Sequence, residues 1–122
     1  MIVSRTPIRI CLVGGGTDVP DFYRSGFGAV ATVAIEPCVY VVINPRLDGR
    51  LRLSCDVPED CSRASDLRNP LVREALALRG VAGGLDIAIF SAVPPGTGLG
   101  WSSAMTVGLL HALDRHLGRD PA

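Results

Sequence analysis

The stretch Pro94-Pro95-Gly96-Thr97-Gly98-Leu99-Gly100-Trp101-Ser102-Ser103-Ala104 places three alternating glycines and two serines between an apolar run and an amphipathic one. Glycines at this spacing let the backbone take positive φ and let main-chain N–H groups approach an anion without a Cβ in the way. A helix opening at Ser102 adds N–H groups that have no internal partner and lie at the positive end of the helix dipole. The chemistry this arrangement suits is the holding of phosphate. Ordinary turns also favour Gly and Ser, so the loop alone does not decide the matter.

Two other phosphate-binding patterns are excluded by spacing. A Walker loop requires Gly-Lys before Ser or Thr, and the dinucleotide fingerprint requires Gly-x-Gly-x-x-Gly. Neither occurs, and all 12 basic residues are arginines, so no lysine of this chain can reach a β- or γ-phosphate. Charge must be neutralised by an arginine, a metal or other sequence. A second loop, Gly14-Gly15-Gly16-Thr17-Asp18, offers bare backbone and one carboxylate, and Arg9 precedes it. Taken alone, Arg9 reads as an exposed strand residue and Asp18 as a turn or cap residue. His111 and His116 stand five apart on a helical segment and so do not stack as a metal pair, while Asp86, Asp114 and Glu74 read as solvated charges. Cys11, Cys38, Cys55 and Cys61 form no Cys-x-x-Cys pair, which favours free thiols in a reducing compartment.

These residues must be positioned by a mixed set of elements. Ile2–Val13 reads as a strand, with Pro7 placing it at an edge or bend. One helical turn follows within Asp21–Gly28. Ala29–Ile35 and Val39–Asn44 read as two strands broken by Glu36-Pro37, and Asp48-Gly49 as a hairpin turn into Leu47–Ser54. Cys55–Asn69 reads as a polar surface connection. Pro70 opens a helix that Gly80 closes, with Leu71, Ala75, Leu76 and Leu78 as its inner stripe. Leu85–Val93 is an apolar strand leading into the phosphate loop, and Ser102–Leu117 a helix with Leu109, Leu110, Leu113 and Leu117 on one face. Strands grouped before helices predict an α+β domain, a mostly antiparallel sheet with helices on one face.

The 122 residues allow one domain, with 48% hydrophobic and 20% charged residues and zero formal net charge. A neutral chain without a basic run disfavours nucleic acid as a partner. No run has the length of a membrane span, and Arg5 and Arg9 interrupt the first apolar stretch, so it does not read as a basic-then-apolar leader; a cytoplasmic protein without a membrane partner is expected.

Pro95 to Ala104 resembles the second, ATP-binding motif of the GHMP small-molecule kinases. Arg5-Thr6-Pro7-Ile8-Arg9-Ile10-Cys11-Leu12-Val13-Gly14-Gly15-Gly16-Thr17-Asp18 resembles their first motif, in the form seen in the D-glycero-D-manno-heptose 7-phosphate kinase branch. The similarity runs from about Val3 to Leu117. It implies a ribosomal-protein-S5 domain-2-like fold and ATP-dependent phosphorylation of a sugar or sugar-phosphate hydroxyl. It further implies that Pro95, Gly96, Thr97, Gly98, Leu99, Gly100, Trp101, Ser102 and Ser103 bind the nucleotide, with Ser102 at Mg²⁺ and Ser103 capping the helix. Gly15, Gly16, Thr17 and Asp18 would bind the sugar, with Arg9 facing the reacting centre as the candidate catalytic residue.

Trp101 departs from the family's usual serine, and its ring either packs under the nucleotide or weakens the site. The resemblance also puts the catalytic aspartate and a third glycine-rich motif after the second, beyond Ala122. Residues 1–122 would then be an incomplete N-terminal kinase domain, inactive alone and prone to pair with a second copy through uncovered surface. The rival expectation is a stand-alone binding protein that kept the fold without catalysis.

Overall fold

The computed structural model describes residues 1–120. Its sheet has five strands: β1 (Ile2–Val13), β2 (Ala31–Pro45), β3 (Leu51–Ser54), β4 (Glu59–Cys61) and β5 (Leu85–Ser91). They lie in the order β1-β2-β5-β3-β4, with β3 parallel to β5 and every other neighbouring pair antiparallel. Three helices accompany them: α1 (Pro20–Tyr23), α2 (Pro70–Arg79) and α3 (Trp101–His116). The expected α+β, mostly antiparallel arrangement is what forms.

Alternation on the central strands selects the covered face. Val39, Val41 and Ile43 of β2, Leu51 and Leu53 of β3, and Leu85, Ile87 and Ile89 of β5 all turn inward. Val72, Ala75 and Leu76 of α2 and Met105, Leu109 and Leu113 of α3 close over them in one core. Each large side chain buried this way contributes about 1.5–3 kcal/mol. Gly108 lets α3 lie directly on β1, since a Cβ there would stand 2.7 Å from Thr6 Oγ1. Ser4 fixes the contact by donating its hydroxyl to the Gly108 carbonyl at 2.8 Å.

Several local expectations are corrected. Ala29–Ile35 and Val39–Asn44 belong to one strand, because Glu36-Pro37 is absorbed in a bulge: Pro7 faces Cys38 while Arg9 faces Ala34. Asp48-Gly49 turns the chain without making a hairpin. Gly84 donates to the Gly49 carbonyl at 2.9 Å and Arg46 to the Gly84 carbonyl at 2.8 Å, so β5 enters between β2 and β3. Within Cys55–Asn69, β4 pairs with β3, and a short 3₁₀ turn at Ala64–Asp66 contributes the buried Ala64.

In α2 the inner stripe is Val72, Ala75 and Leu76. Leu71 and Leu78 point outward because the register is set by the Asn69 cap, whose side chain accepts the Val72 N–H. In α3, Leu110 is half-buried and Leu117 exposed, and Ala104, Met105 and Ala112 take the inner face. Asp114 is not a solvated charge: it pairs with Arg79 at 2.7 Å and ties α3 to α2. Among the described residues, no helix is long and apolar enough to cross a membrane.

Candidate functional site

β5 ends at Ser91, and the chain crosses Pro94–Gly100 before α3 begins at Trp101. Gly96, Gly98 and Gly100 have φ of 85°, 76° and 72°, and among the described residues no non-glycine residue has positive φ. Signs of φ therefore alternate from Gly96 to Trp101, a pattern that turns successive N–H groups toward one concavity. Among the described residues, no N–H from Gly96 to Ser103 donates to a backbone or side-chain acceptor; the first helical bond is Ala104 N–H to the Gly100 carbonyl, 3.0 Å. The donors face the N-terminus of a 16-residue helix, where the dipole favours negative charge.

The helix cap differs from expectation. Gly100 occupies the N-cap in the left-handed conformation, and no side chain caps the helix. Ser103 is thus not the cap. A left-handed residue carries the chain from loop into helix, and it leaves the hydroxyls of Ser102 and Ser103 exposed in the first turn.

Arg9 is brought to this loop by β1. Its N–H donates to the Leu99 carbonyl at 3.0 Å, and its side chain lies across Gly100, where a Cβ would stand 3.1 Å from Arg9 Cγ. Among the described residues no carboxylate pairs with Arg9. The loop therefore has a guanidinium beside it where the chain has no lysine. Nothing in the sequence pairs residue 9 with residue 99; only the fold does so.

The other glycine-rich loop lies past the end of β1, roughly 15 Å farther along the strand than Arg9 at extended spacing. It is closed on itself. Thr17 Oγ1 lies 2.8 Å from the Gly14 carbonyl and 3.0 Å from that of Ala29, and accepts the Ala29 N–H at 3.0 Å. Gly15, Gly16 and Asp18 remain exposed. No hydrogen bond joins this loop to Pro94–Ser103 among the described residues.

Trp101 packs against the core from the first turn of α3, together with Leu99 and Val93. Its indole Nε1 is buried without an acceptor. The ring forms one wall of a cavity of about 390 Å³ beside the loop, shared with Pro95, Cys55, Val57, Glu59 and Asn69. Glu59 holds the far wall by accepting the N–H groups of Arg68 at 2.6 Å and Asn69 at 3.1 Å. Nothing in the local sequence marked Glu59 for this work. His111 and His116 stay apart from the loop on later turns of α3, and the cysteines at 11, 38, 55 and 61 are free.

Known proteins share this fold. Residues 68–121 match the family described as GHMP kinases N terminal domain. The L-fucokinase/L-fucose-1-P guanylyltransferase of Bacteroides fragilis is 27% identical over 152 aligned positions, which cover 97% of this chain and 16% of that protein. A D-glycero-D-manno-heptose 1-phosphate kinase from Bacteroides thetaiotaomicron superposes with a TM-score of 0.83 at 23% identity, covering 97% of this chain and 42% of that one. Galactokinase from Lactococcus lactis, solved with galactose, gives a TM-score of 0.71 at 20% identity over 98% of this chain and 34% of that one. The chain thus spans under half the length of these solved relatives, and their likeness at such identity is one of fold.

Proposed function

We propose that this chain is a domain of the GHMP kinase kind and holds the phosphates of ATP on its Gly96–Ser103 backbone while a sugar or sugar-phosphate hydroxyl receives the phosphoryl group. The observation that carries this reading is the unbroken run of undonated N–H groups from Gly96 to Ser103 at the head of α3. Phosphoryl transfer needs positioning and stabilisation of charge on the phosphoryl oxygens more than covalent help from the protein. Fixed amide dipoles supply both, because they are already oriented before the anion arrives.

Within that scheme the residues divide the work. Pro95 and Thr97 shape the loop, Thr97 by donating its hydroxyl to the Pro94 carbonyl at 3.3 Å. Arg9, lying over Gly100, adds a permanent positive charge at the edge of the cradle. The cavity walled by Trp101 and Pro95 receives the base, so the indole packs under the nucleotide instead of blocking it. Mg²⁺, when bound, neutralises phosphate charge, and the exposed Ser102 hydroxyl is a hard oxygen of the kind it accepts. Asp18 accepts hydrogen bonds from sugar hydroxyls beside the open backbone of Gly15 and Gly16, while Thr17 serves by holding that loop's shape. Free thiols at 11, 38, 55 and 61 fit a reducing, cytoplasmic setting.

Calorimetric titration tests the assignment. Gly98→Ala places a Cβ at φ 76° and reorients the neighbouring N–H groups, and it should weaken binding of ATP with Mg²⁺ by about tenfold or more. Asp18→Asn should leave ATP binding as it is and weaken binding of the sugar. ATP affinity unchanged in Gly98→Ala, or equal losses of both ligands in Asp18→Asn, would overturn the assignment.

A further inference from the structure

A second surface lies at the opposite end of α3 from the phosphate loop. Between the first residues of β1 and the last turns of α3 runs an open cleft of about 660 Å³, lined by Ile2–Arg5 on one side and by His111, Arg115 and Arg119 on the other. Among the described residues β1 is an edge strand: β2 lies along one side of it and no strand along the other. The Arg9 N–H leaves the sheet on that free side to reach Leu99. By the alternation of an antiparallel ladder, Pro7, Arg5 and Val3 face the same way. Pro7 there has no N–H to leave unpaired, as befits proline on an edge. Val3 and Arg5 therefore present N–H and C=O groups along the floor of the cleft.

The charge above that floor is of one sign. Arg115 and Arg119 line it with His111, and among the described residues no carboxylate does; the Arg5 guanidinium turns to the other face of the sheet, toward Tyr40, and only its backbone borders the cleft. The nearest acids are otherwise engaged: Asp114 faces α2 through its pair with Arg79, and Asp120 pairs with Arg115 at 2.8 Å from a fully exposed position where screening leaves little of the attraction. We propose that this cleft docks an extended acidic segment of a partner protein. The segment adds to the sheet as a strand beside β1 and sets its carboxylates against Arg115 and Arg119. Main-chain pairing gives such a complex its affinity and the guanidinium groups its choice of partner. A second copy of this chain is the poorer occupant, since pairing β1 with β1 would bring the same arginines of both copies together.

The test uses the 122-residue chain and two blocked hexapeptides, one alternating Glu and Val and one alternating Lys and Val. The acidic peptide should slow amide exchange at Val3 and Arg5 and bind about tenfold or more tightly than its basic counterpart. Val3→Pro removes one outward N–H and preserves the β2 side, so it should keep the circular dichroism of the parent and bind the acidic peptide about tenfold more weakly. The Arg115→Glu, Arg119→Glu double variant should lose binding in the same assay. Equal binding of both peptides, binding of neither, or an unaffected Val3→Pro variant overturns the proposal. So does displacement of the peptide by free glutamate or inorganic phosphate at comparable concentration, which would mark a small-anion site. Protection of Val3 and Arg5 that rises with protein concentration, without peptide, would assign the edge to a second copy instead.

Discussion

The two glycine-rich loops differ in what surrounds their glycines. At Gly14 other atoms are close: a Cβ there would stand 1.9 Å from the Ala29 carbonyl oxygen, and one on Gly28, which packs against this loop, would stand 2.0 Å from that of Thr17. In Pro94–Gly100 nothing lies within 4 Å of a Cβ on Gly96 or Gly98; glycine is required there by positive φ alone. One loop has spent its hydrogen bonds on itself through Thr17, and the other has left its donors open. A run of glycine therefore marks a place where a side chain is unwelcome, and the hydrogen-bond account separates a packed turn from a ligand cradle.

The largest effect that could break this contrast is in the packed loop. Gly14→Ala combines a clash with a φ of 87° and should cost about 3 kcal/mol in urea unfolding. Gly98→Ala should cost less stability and more ATP affinity. Equal stability losses at both positions would mean that the second loop is as closely packed as the first. A smaller loss is expected at the anchor of the open loop. Trp101→Ser removes a half-buried ring from the core margin and should cost about 2 kcal/mol, whereas Trp101→Phe keeps most of the packing and discards an indole N–H that has no acceptor. A Trp101→Ser variant as stable as the parent would show that the ring does not hold the loop.

The smallest effect lies away from both loops and is a control on them. Asp48 accepts hydrogen bonds from the Arg46 guanidinium, and from the Arg50 N–H at 3.1 Å; the Arg46 bond above all lowers its carboxyl from the ordinary value of 3.8 to about 2. A depressed folded value means that stability is fully present above about pH 4 and is lost as pH falls through 2. Asp48→Asn should flatten the acid limb of the stability curve slightly and leave ATP binding unchanged. An acid limb identical in both proteins would remove this pair from the account.

Much of the fold was legible because local chemistry and tertiary structure agree. Pro70 and Gly80 bound α2, Pro7 lies on an edge strand, and the apolar run after Gly84 is a central strand. What was not legible depends on partners distant in sequence. Glu36-Pro37 looks like a break, yet bulging against β1 keeps β2 continuous. Asp48-Gly49 looks like a hairpin, yet β5, more than thirty residues later, takes the place beside β2. The same holds for the site. The open donors of Gly96–Ser103 follow from residue type and spacing, whereas the approach of Arg9 to Leu99 and Gly100, and the cavity under Trp101, exist only after the sheet has formed.

The central claim is that the Gly96–Ser103 backbone holds an anion, and amide resonances report on it directly. With isotope-labelled protein, ATP and Mg²⁺ should shift the amides of Gly96 to Ser103 first and most, with the Arg9 side chain responding next, and the amides of Gly14 to Asp18 should stay in place until sugar is added. Shifts confined to residues outside Gly96–Ser103 at saturating ATP would contradict the account.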